Sequence, residues 1–203
     1  MTAAEPAVRG RLRRQGFWLE YASMAWMTAE AAVAITAGVL ASSIALVAFG
    51  LDSVIEFFAA AVVVWQLRGG DQDAGRETRA VRLIGVTFFA LGLYLAVEGI
   101  RDLVIHARPG QSAPGLAVAG AALIVMPGLA VAKRRTGRAL GNRTLIADSA
   151  ETALCAFTSA ATLLGVGLNT WAGWWWADPA AALIIAALAV REGIETWEHQ
   201  ADD

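Results

Sequence analysis

Long apolar segments constrain the fold of this chain more than any other feature of its sequence. Six of them follow one another with short polar connections, and they occupy approximately residues 17–40, 43–67, 80–105, 114–133, 139–168 and 176–197. A helix that crosses a bilayer needs about 20 apolar residues, so each segment is long enough to do so. The pattern therefore predicts an all-α integral membrane protein with six transmembrane helices.

The composition agrees with this prediction and excludes other classes of protein. Apolar residues make up 57% of the 203 residues and charged residues 17%, whereas soluble domains contain about 25% charged residues. An ordinary soluble enzyme and a disordered chain are both excluded, because far too much apolar surface would be exposed. Cys155 is the sole cysteine, so no intramolecular disulfide can form. The basic residues flank the apolar segments, and no nucleic-acid partner is indicated.

The distribution of basic residues predicts the orientation. Of the 16 lysines and arginines, all but Arg101 and Arg108 lie in residues 1–16, in the polar stretches 68–82 and 133–143, or near the C-terminus. Because basic residues are retained on the cytoplasmic side, both termini are predicted to be cytoplasmic. We therefore expect residues 1–16 to form a basic cytoplasmic tail. We expect residues 17–198 to form the six-helix domain, with no soluble C-terminal domain.

Five acidic residues lie at membrane depth, away from the ends of the predicted helices: Glu30, Asp52, Glu56, Asp148 and Glu151. An ionised group at membrane depth costs about 2.5–3.5 kcal/mol even on the lenient insertion scale. We expect no lysine or arginine at comparable depth to pair with them. The acids must then be protonated, hydrated or neutralised by a bound cation. Their number predicts a cation site at which protons also bind.

Helical spacing groups these acids into two sets. Asp52 and Glu56 are four residues apart and share a face of the second helix, while Asp148, Glu151 and Cys155 share a face of the fifth. If the two faces meet, several carboxylates and one thiol converge. Carboxylate oxygens alone favour Mg²⁺, Ca²⁺ or Mn²⁺, whereas a thiolate favours Zn²⁺ or Cd²⁺. Asp52, Glu56, Glu151 and Cys155 would supply the four ligands that zinc prefers.

Other interpretations of individual residues remain open at this point. Cys155 could be a small buried apolar residue. Asp148 could orient a helix or support a ligand without binding metal. Glu30 could carry a proton, support a ligand or hydrogen-bond a neighbouring helix. We interpret Glu20, near the cytoplasmic interface, as a side chain that reaches out of the membrane.

Two of these helices resemble a known family. SIALVAFGLDSVIEFFAA, residues 43–60, is similar to the second span of cation diffusion facilitators, whose motif there is Asp-x-x-x-Asp. LIADSAETALCAF, residues 145–157, is similar to their fifth span, which carries Ala-Asp-x-x-His-x-x-x-Asp. Glu151 stands at the histidine position and Cys155 at the last aspartate position. The segment GWWWADPAAALIIAALAVREGIE resembles their sixth span, so the resemblance covers about residues 17–198.

The chain looks most similar to the short branch of the family that lacks the C-terminal cytoplasmic domain and includes vesicular zinc-binding transmembrane proteins of animals. The resemblance implies a secondary transporter rather than an enzyme, with no prosthetic group. It would export divalent metal by proton antiport through alternating access, as a homodimer formed through its helices. The metal site carries over to Asp52, Glu56, Glu151 and Cys155. Zn²⁺ is the expected substrate, with Cd²⁺, Mn²⁺ or Fe²⁺ as further candidates, and the expected location is a bacterial inner membrane.

Two alternatives to metal transport remain. A proton-coupled exporter of organic cations could use the membrane acids together with aromatic residues near them, such as Trp26, Phe57 and Phe58. It would expel dyes or drugs and would not bind zinc tightly. A non-transporting membrane protein that binds zinc would show zinc binding without flux.

Overall fold

The computed structural model describes residues 6–40, 44–69, 74–107, 113–172 and 174–198, and within these ranges the chain is helical apart from short turns. Six helices occur there: α1 (Pro6–Leu40), α2 (Ile44–Arg68), α3 (Ala74–Ile105), α4 (Ala113–Leu140), α5 (Arg143–Ala172) and α6 (Ala177–Glu198). The predicted all-α class is confirmed. The connections at 41–43, 70–73 and 108–112 lie outside the described residues.

Two helices extend well beyond the predicted apolar segments. α1 begins at Pro6, so most of the segment expected to be an N-terminal tail is helical. α4 continues to Leu140, and only Gly141 and Asn142 separate it from α5. The polar connection expected between the predicted segments 114–133 and 139–168 is therefore wrong, because residues 134–138 are helical. Lysine and arginine are good helix formers, so a change from apolar to basic residues does not end a helix.

The corner between α4 and α5 is built by a helix-ending motif followed directly by a helix-starting residue. Gly141 adopts a positive φ of 68°, which glycine tolerates without strain. The Asn142 N–H donates to the Gly137 carbonyl at 2.9 Å, and the Gly141 N–H donates to the Arg138 carbonyl at 3.3 Å. These two bonds form a Schellman motif. The Asn142 side chain then accepts from the Leu145 N–H at 2.8 Å and caps α5.

Close contacts between helices depend on glycine residues. A Cβ atom added at Gly50 of α2 would lie 2.6 Å from Cγ1 of Ile35 in α1. One added at Gly137 of α4 would lie 2.9 Å from Cγ1 of Ile146 in α5. Small residues allow helix backbones to approach in this way inside membranes. The pairs α1–α2, α4–α5 and α3–α6 make the most extensive contacts in the bundle.

Polar contacts tie several helix ends together at one end of the bundle. The Arg13 Nε of α1 donates to the Leu67 carbonyl at the end of α2 at 2.9 Å. The Asn142 side-chain amide donates to Oε1 of Gln66, also at the end of α2, at 2.9 Å. α1 and α5 thus begin where α2 and α4 end. We call this the basic end, because it carries the arginine-rich segments.

The surface is apolar and the interior is partly charged, which is the reverse of a soluble protein. Ile124 is 79% exposed and Leu93 67% exposed, whereas Asp52 and Glu56 are at most 2% exposed. Among the residues that the structure describes, four helices contain stretches long and apolar enough to cross a membrane, namely Ala7–Leu40, Phe49–Arg68, Thr78–Ile105 and Ala113–Leu140. Outward apolar side chains and inward acids are what lipid surroundings favour, so the membrane location is supported.

Apolar side chains pack on both sides of α5. Leu154 belongs to a core cluster that also contains Val63 of α2 and Phe88 of α3. Cys155 belongs to a second cluster that also contains Met27 of α1 and Met126 of α4. The acids of α2 and α5 therefore lie within a packed interior.

Candidate metal site and a buried ion triad

Three of the four predicted ligands lie together. Asp52 and Glu56 extend from α2 and Cys155 from α5, and one ligand atom of each lies within 4.8 Å of the other two. All three residues are at most 2% exposed. The structure thus has the predicted meeting of the two helical faces. We call Asp52, Glu56 and Cys155 the acid–thiol cluster.

Within the part of the chain that the structure describes, the carboxylates of Asp52, Glu56 and Glu151 form no salt bridge. Their side-chain oxygens also make no well-formed hydrogen bond among the described residues, although the Cys155 thiol lies near Glu56 and the Thr87 hydroxyl near Glu151. A buried ionised carboxylate without a partner is strongly unfavourable, so these groups need a proton or a cation. Two carboxylates beside a thiol offer a borderline-soft divalent metal a suitable set of donors.

Glu151, the fourth predicted ligand, is placed differently. It is 1% exposed and lies about one helical turn from Cys155 on the same helix. Its carboxylate, however, is not within 4.8 Å of all three members of the acid–thiol cluster. Its participation in metal binding therefore stays a prediction.

Glu30 connects α1 to α2 beside the cluster. Its Oε1 accepts a hydrogen bond from the Ser53 hydroxyl at 2.8 Å, and its Oε2 accepts one from the Trp26 Nε1–H. Ser53 directly follows Asp52 in the chain. Of the three interpretations left open by the sequence, hydrogen bonding between helices is the one with a visible contact.

The expectation that no base lies at the depth of the acids is wrong. Lys133 of α4 is 0% exposed, and its Nζ lies 2.5 Å from Oδ2 of Asp148 and 3.1 Å from Oε2 of Glu20. It also donates to the Thr152 hydroxyl at 3.2 Å. Asp148 therefore has a counter-ion. We call Glu20, Lys133 and Asp148 the ion triad.

Glu20 also corrects the sequence interpretation. It was expected to reach out of the membrane, but it is 0% exposed and pairs with Lys133. A carboxylate with a buried counter-ion does not need to extend to water, because the ammonium group offsets its desolvation.

A signal for Lys133 exists in the sequence. The buried face of α4 includes Ala119, Ala122, Met126 and Ala130 at intervals of three or four residues, and Lys133 continues the same series. Arg134 and Arg135, which follow it, are exposed. Helical periodicity thus separates the lysine from its neighbours. The run of basic residues conceals this, because it resembles a polar loop.

The ion triad lies between the acid–thiol cluster and the basic end. Asp148 precedes Cys155 by seven residues on α5, a rise of about 10 Å along the helix. The basic end lies a further turn or so beyond, at the start of α5 at Arg143. The triad and the cluster are therefore separate sites stacked along the same helix.

Comparison with known proteins agrees with this geometry. Residues 21–198 match the model of the cation efflux transmembrane domain. The chain is also similar to Transmembrane protein 163 from Xenopus laevis, with 24% identity over 197 residues, which is 96% of this chain and 70% of that relative. The domain match covers the acid–thiol cluster, Lys133 and Asp148 of the ion triad, and α2 to α6 with the second part of α1. The chain therefore belongs to the cation efflux family.

Proposed function

We propose that this protein exports divalent transition-metal ions from the cytoplasm in exchange for protons, with Zn²⁺ as its main substrate. The observation that carries the proposal is the acid–thiol cluster, in which Asp52, Glu56 and Cys155 converge while no base among the described residues pairs with the two carboxylates. Membership of the cation efflux family supports metal-cation transport, as opposed to enzymatic catalysis.

The donors favour zinc and cadmium over harder ions. Two carboxylates could also hold Mn²⁺ or Fe²⁺, but the thiolate of Cys155 shifts the preference toward softer metals. Zinc prefers four ligands in a tetrahedron. We propose Glu151 as the fourth ligand, recruited by a small shift of α5 because it is buried on the same helix.

Exchange with protons follows from the chemistry of these ligands. Carboxylates and thiols bind metal in their deprotonated forms, so metal and protons compete for the same atoms. In a state open to the cytoplasm, the deprotonated ligands would bind metal. After the helices rock to open the opposite side, protons would displace it and return the carrier.

The proposal can be tested with purified protein in liposomes. Zn²⁺ flux is measured under an imposed pH gradient for the wild type and for Asp52→Asn/Glu56→Gln. We expect gradient-dependent flux that vanishes in the double variant. Glu195→Gln is the matched control, because it removes an acid on the surface that pairs with Arg191. Flux in the double variant equal to that of the wild type would contradict the proposal.

The same experiment separates the alternatives. Zinc binding in detergent without flux would favour a non-transporting zinc-binding protein. Dye efflux without zinc binding would favour an organic-cation exporter. The aromatic surroundings that this exporter requires have little support, because Phe58 is 60% exposed and the Trp26 indole N–H is bound to Glu30.

Orientation and assembly are further parts of the proposal. We propose six membrane spans with the basic end in the cytoplasm, since that end carries most of the basic residues. Reporter fusions to both termini should then give cytoplasmic signals. We propose residence in a cytoplasmic membrane and a homodimer formed through the helices, and the mass of the purified protein in detergent measures the latter.

A further inference from the structure

Lys133 contacts two other helices at once. Its ammonium group lies 2.5 Å from Asp148 and donates to Thr152 at 3.2 Å, both on α5, and it lies 3.1 Å from Glu20 on α1. Lys133 itself extends from α4. None of these contacts reaches water, because the four residues are at most 2% exposed.

The two contacts on α5 constrain the rotation of that helix. Asp148 and Thr152 are four residues apart, so they lie one above the other on a single face. Two contacts from one ammonium group hold that face toward α4. Since each residue of an α-helix turns by about 100°, a modest rotation of α5 would move Glu151 and Cys155 away from α2.

Through α1, the contacts of Lys133 also reach α2, the other helix that carries proposed metal ligands. α1 carries Glu20, which contacts Lys133, and about three turns further along it carries Glu30, which accepts from Ser53 on α2. Ser53 adjoins Asp52. A series of buried polar contacts therefore runs from α5 through Lys133 and α1 to α2, and it joins the two helices that carry the acid–thiol cluster.

We propose that Lys133 is a positioning residue for the metal site, which sets the rotation of α5 and so holds Cys155 and Glu151 toward Asp52 and Glu56. Lys133 acts through Asp148, Thr152 and Glu20 and does not touch the metal. The metal-binding part of this inference rests on the proposed function, whereas the placement of α5 does not.

A role in positioning differs from simple charge compensation. Replacing every member of a buried ion cluster by neutral residues of similar size often leaves a fold intact, because no charge remains uncompensated. If Lys133 only compensates the two acids, neutralising all three should preserve both the cluster geometry and metal binding. If it positions α5, the fold survives but the cluster loosens.

The first experiment uses Glu20→Gln/Lys133→Met/Asp148→Asn in lipid nanodiscs. Cys155, as the sole cysteine, is a native probe whose alkylation rate by N-ethylmaleimide reports its access. We expect alkylation at least about tenfold faster than in the wild type and Zn²⁺ affinity about 10–100-fold weaker, the range seen when supporting groups of metal sites are removed. Arg134→Met is the control, since it removes the neighbouring exposed base, and both values should equal those of the wild type.

A second variant keeps the test decisive if the triple variant does not fold. Asp148→Glu preserves every charge but lengthens the link between α4 and α5 by one methylene. A positioning role predicts altered alkylation of Cys155 and weaker Zn²⁺ binding, whereas charge compensation predicts neither. Alkylation rates and affinities within twofold of the wild type in both variants would overturn the proposal.

The outcomes also separate this inference from the proposed function. If the wild type neither binds nor transports Zn²⁺, the proposed function fails, while the alkylation rates still decide whether Lys133 places α5. If the wild type transports Zn²⁺ and alkylation is unchanged in the variants, the positioning role fails and the proposed function stands.

Discussion

The protein contains two clusters of buried acids that differ in how their charge is balanced. In the ion triad, Glu20 and Asp148 lie within 3.1 Å of the ammonium group of Lys133. In the acid–thiol cluster, Asp52 and Glu56 lie beside the Cys155 thiol, and no lysine or arginine pairs with their carboxylates among the described residues. Both clusters are sealed from water, and α5 contributes to both.

This contrast shows two ways of balancing the charge of buried acids: by a base of the same chain, or by a proton or metal ion that binds. A buried acid with a lysine is balanced within the chain, at the cost of removing two charged partners from water. A group of acids without a base is balanced only when a proton or a metal ion arrives. Under the proposed function, the acid–thiol cluster would bind the transported metal and the ion triad would support the fold. The following changes would test that division.

The largest effect is expected from removing the base alone. Lys133→Met leaves Glu20 and Asp148 buried without a counter-ion, so the free energy of unfolding should fall by about 3–5 kcal/mol. Unfolding in detergent mixtures measures it. Arg134→Met, at an exposed position, should change it by less than about 0.5 kcal/mol. A loss below about 1 kcal/mol for Lys133→Met would mean that the triad is not balanced internally.

Removing an acid from the acid–thiol cluster should reduce transport strongly without reducing stability. Asp52→Asn should lower Zn²⁺ flux by more than about 100-fold, since a ligand matters at least as much as the groups that support one. Stability should stay equal or rise, because the carboxylate has no described partner to lose. Flux assays and unfolding of the same preparation measure both. A large loss of stability would show that Asp52 is balanced as Asp148 is.

The clusters should also differ in their response to pH. Metal displaces protons from its ligands, so Zn²⁺ affinity should weaken as the pH falls, by up to about tenfold per pH unit for each proton displaced. Titration calorimetry between mildly acidic and neutral pH measures this slope. Glu56→Gln should flatten the slope, whereas the control Glu195→Gln should not. An affinity independent of pH would argue against proton exchange at the cluster.

A smaller effect is expected from changing the soft donor. Cys155→Asp replaces sulfur with carboxylate oxygen, so the preference for Cd²⁺ over Mn²⁺ should decrease by about tenfold or more. Competition binding with the two metals measures it. An unchanged preference would mean that Cys155 is an apolar packing residue in the core cluster that contains Met27 and Met126.

The smallest effect is expected at the bridge between α1 and α2. Glu30→Gln keeps one acceptor oxygen for Ser53 or Trp26 and loses the other, so stability should fall by about 1 kcal/mol while Zn²⁺ flux continues. Unfolding and flux measurements on one preparation compare the two. A variant of normal stability that moves zinc without protons would instead identify Glu30 as a proton carrier.

Much of the fold could be predicted from local properties of the sequence. Apolar length gave the number and order of the helices, and Gly141 with Asn142 is a local signal that ends α4 and starts α5. The grouping of Asp52 with Glu56 on α2, and of Glu151 with Cys155 on α5, could also be predicted, because residues of one helix face are fixed by the helical repeat. The sequence did not establish that the two faces meet. The start of α1 and the end of α4 could not be predicted, since lysine and arginine are good helix formers and do not mark where a helix begins or ends.

What the sequence alone determined is therefore which residues share a helix and a face, and that acids must lie in an apolar environment. Only the tertiary structure decided which acids have a counter-ion. Lys133 and Asp148 belong to different helices, and Glu20 lies more than a hundred residues away from Lys133 in the chain. Their pairing depends on how α1, α4 and α5 pack, because charge balance is set by distances of a few ångströms in space and not by position along the chain.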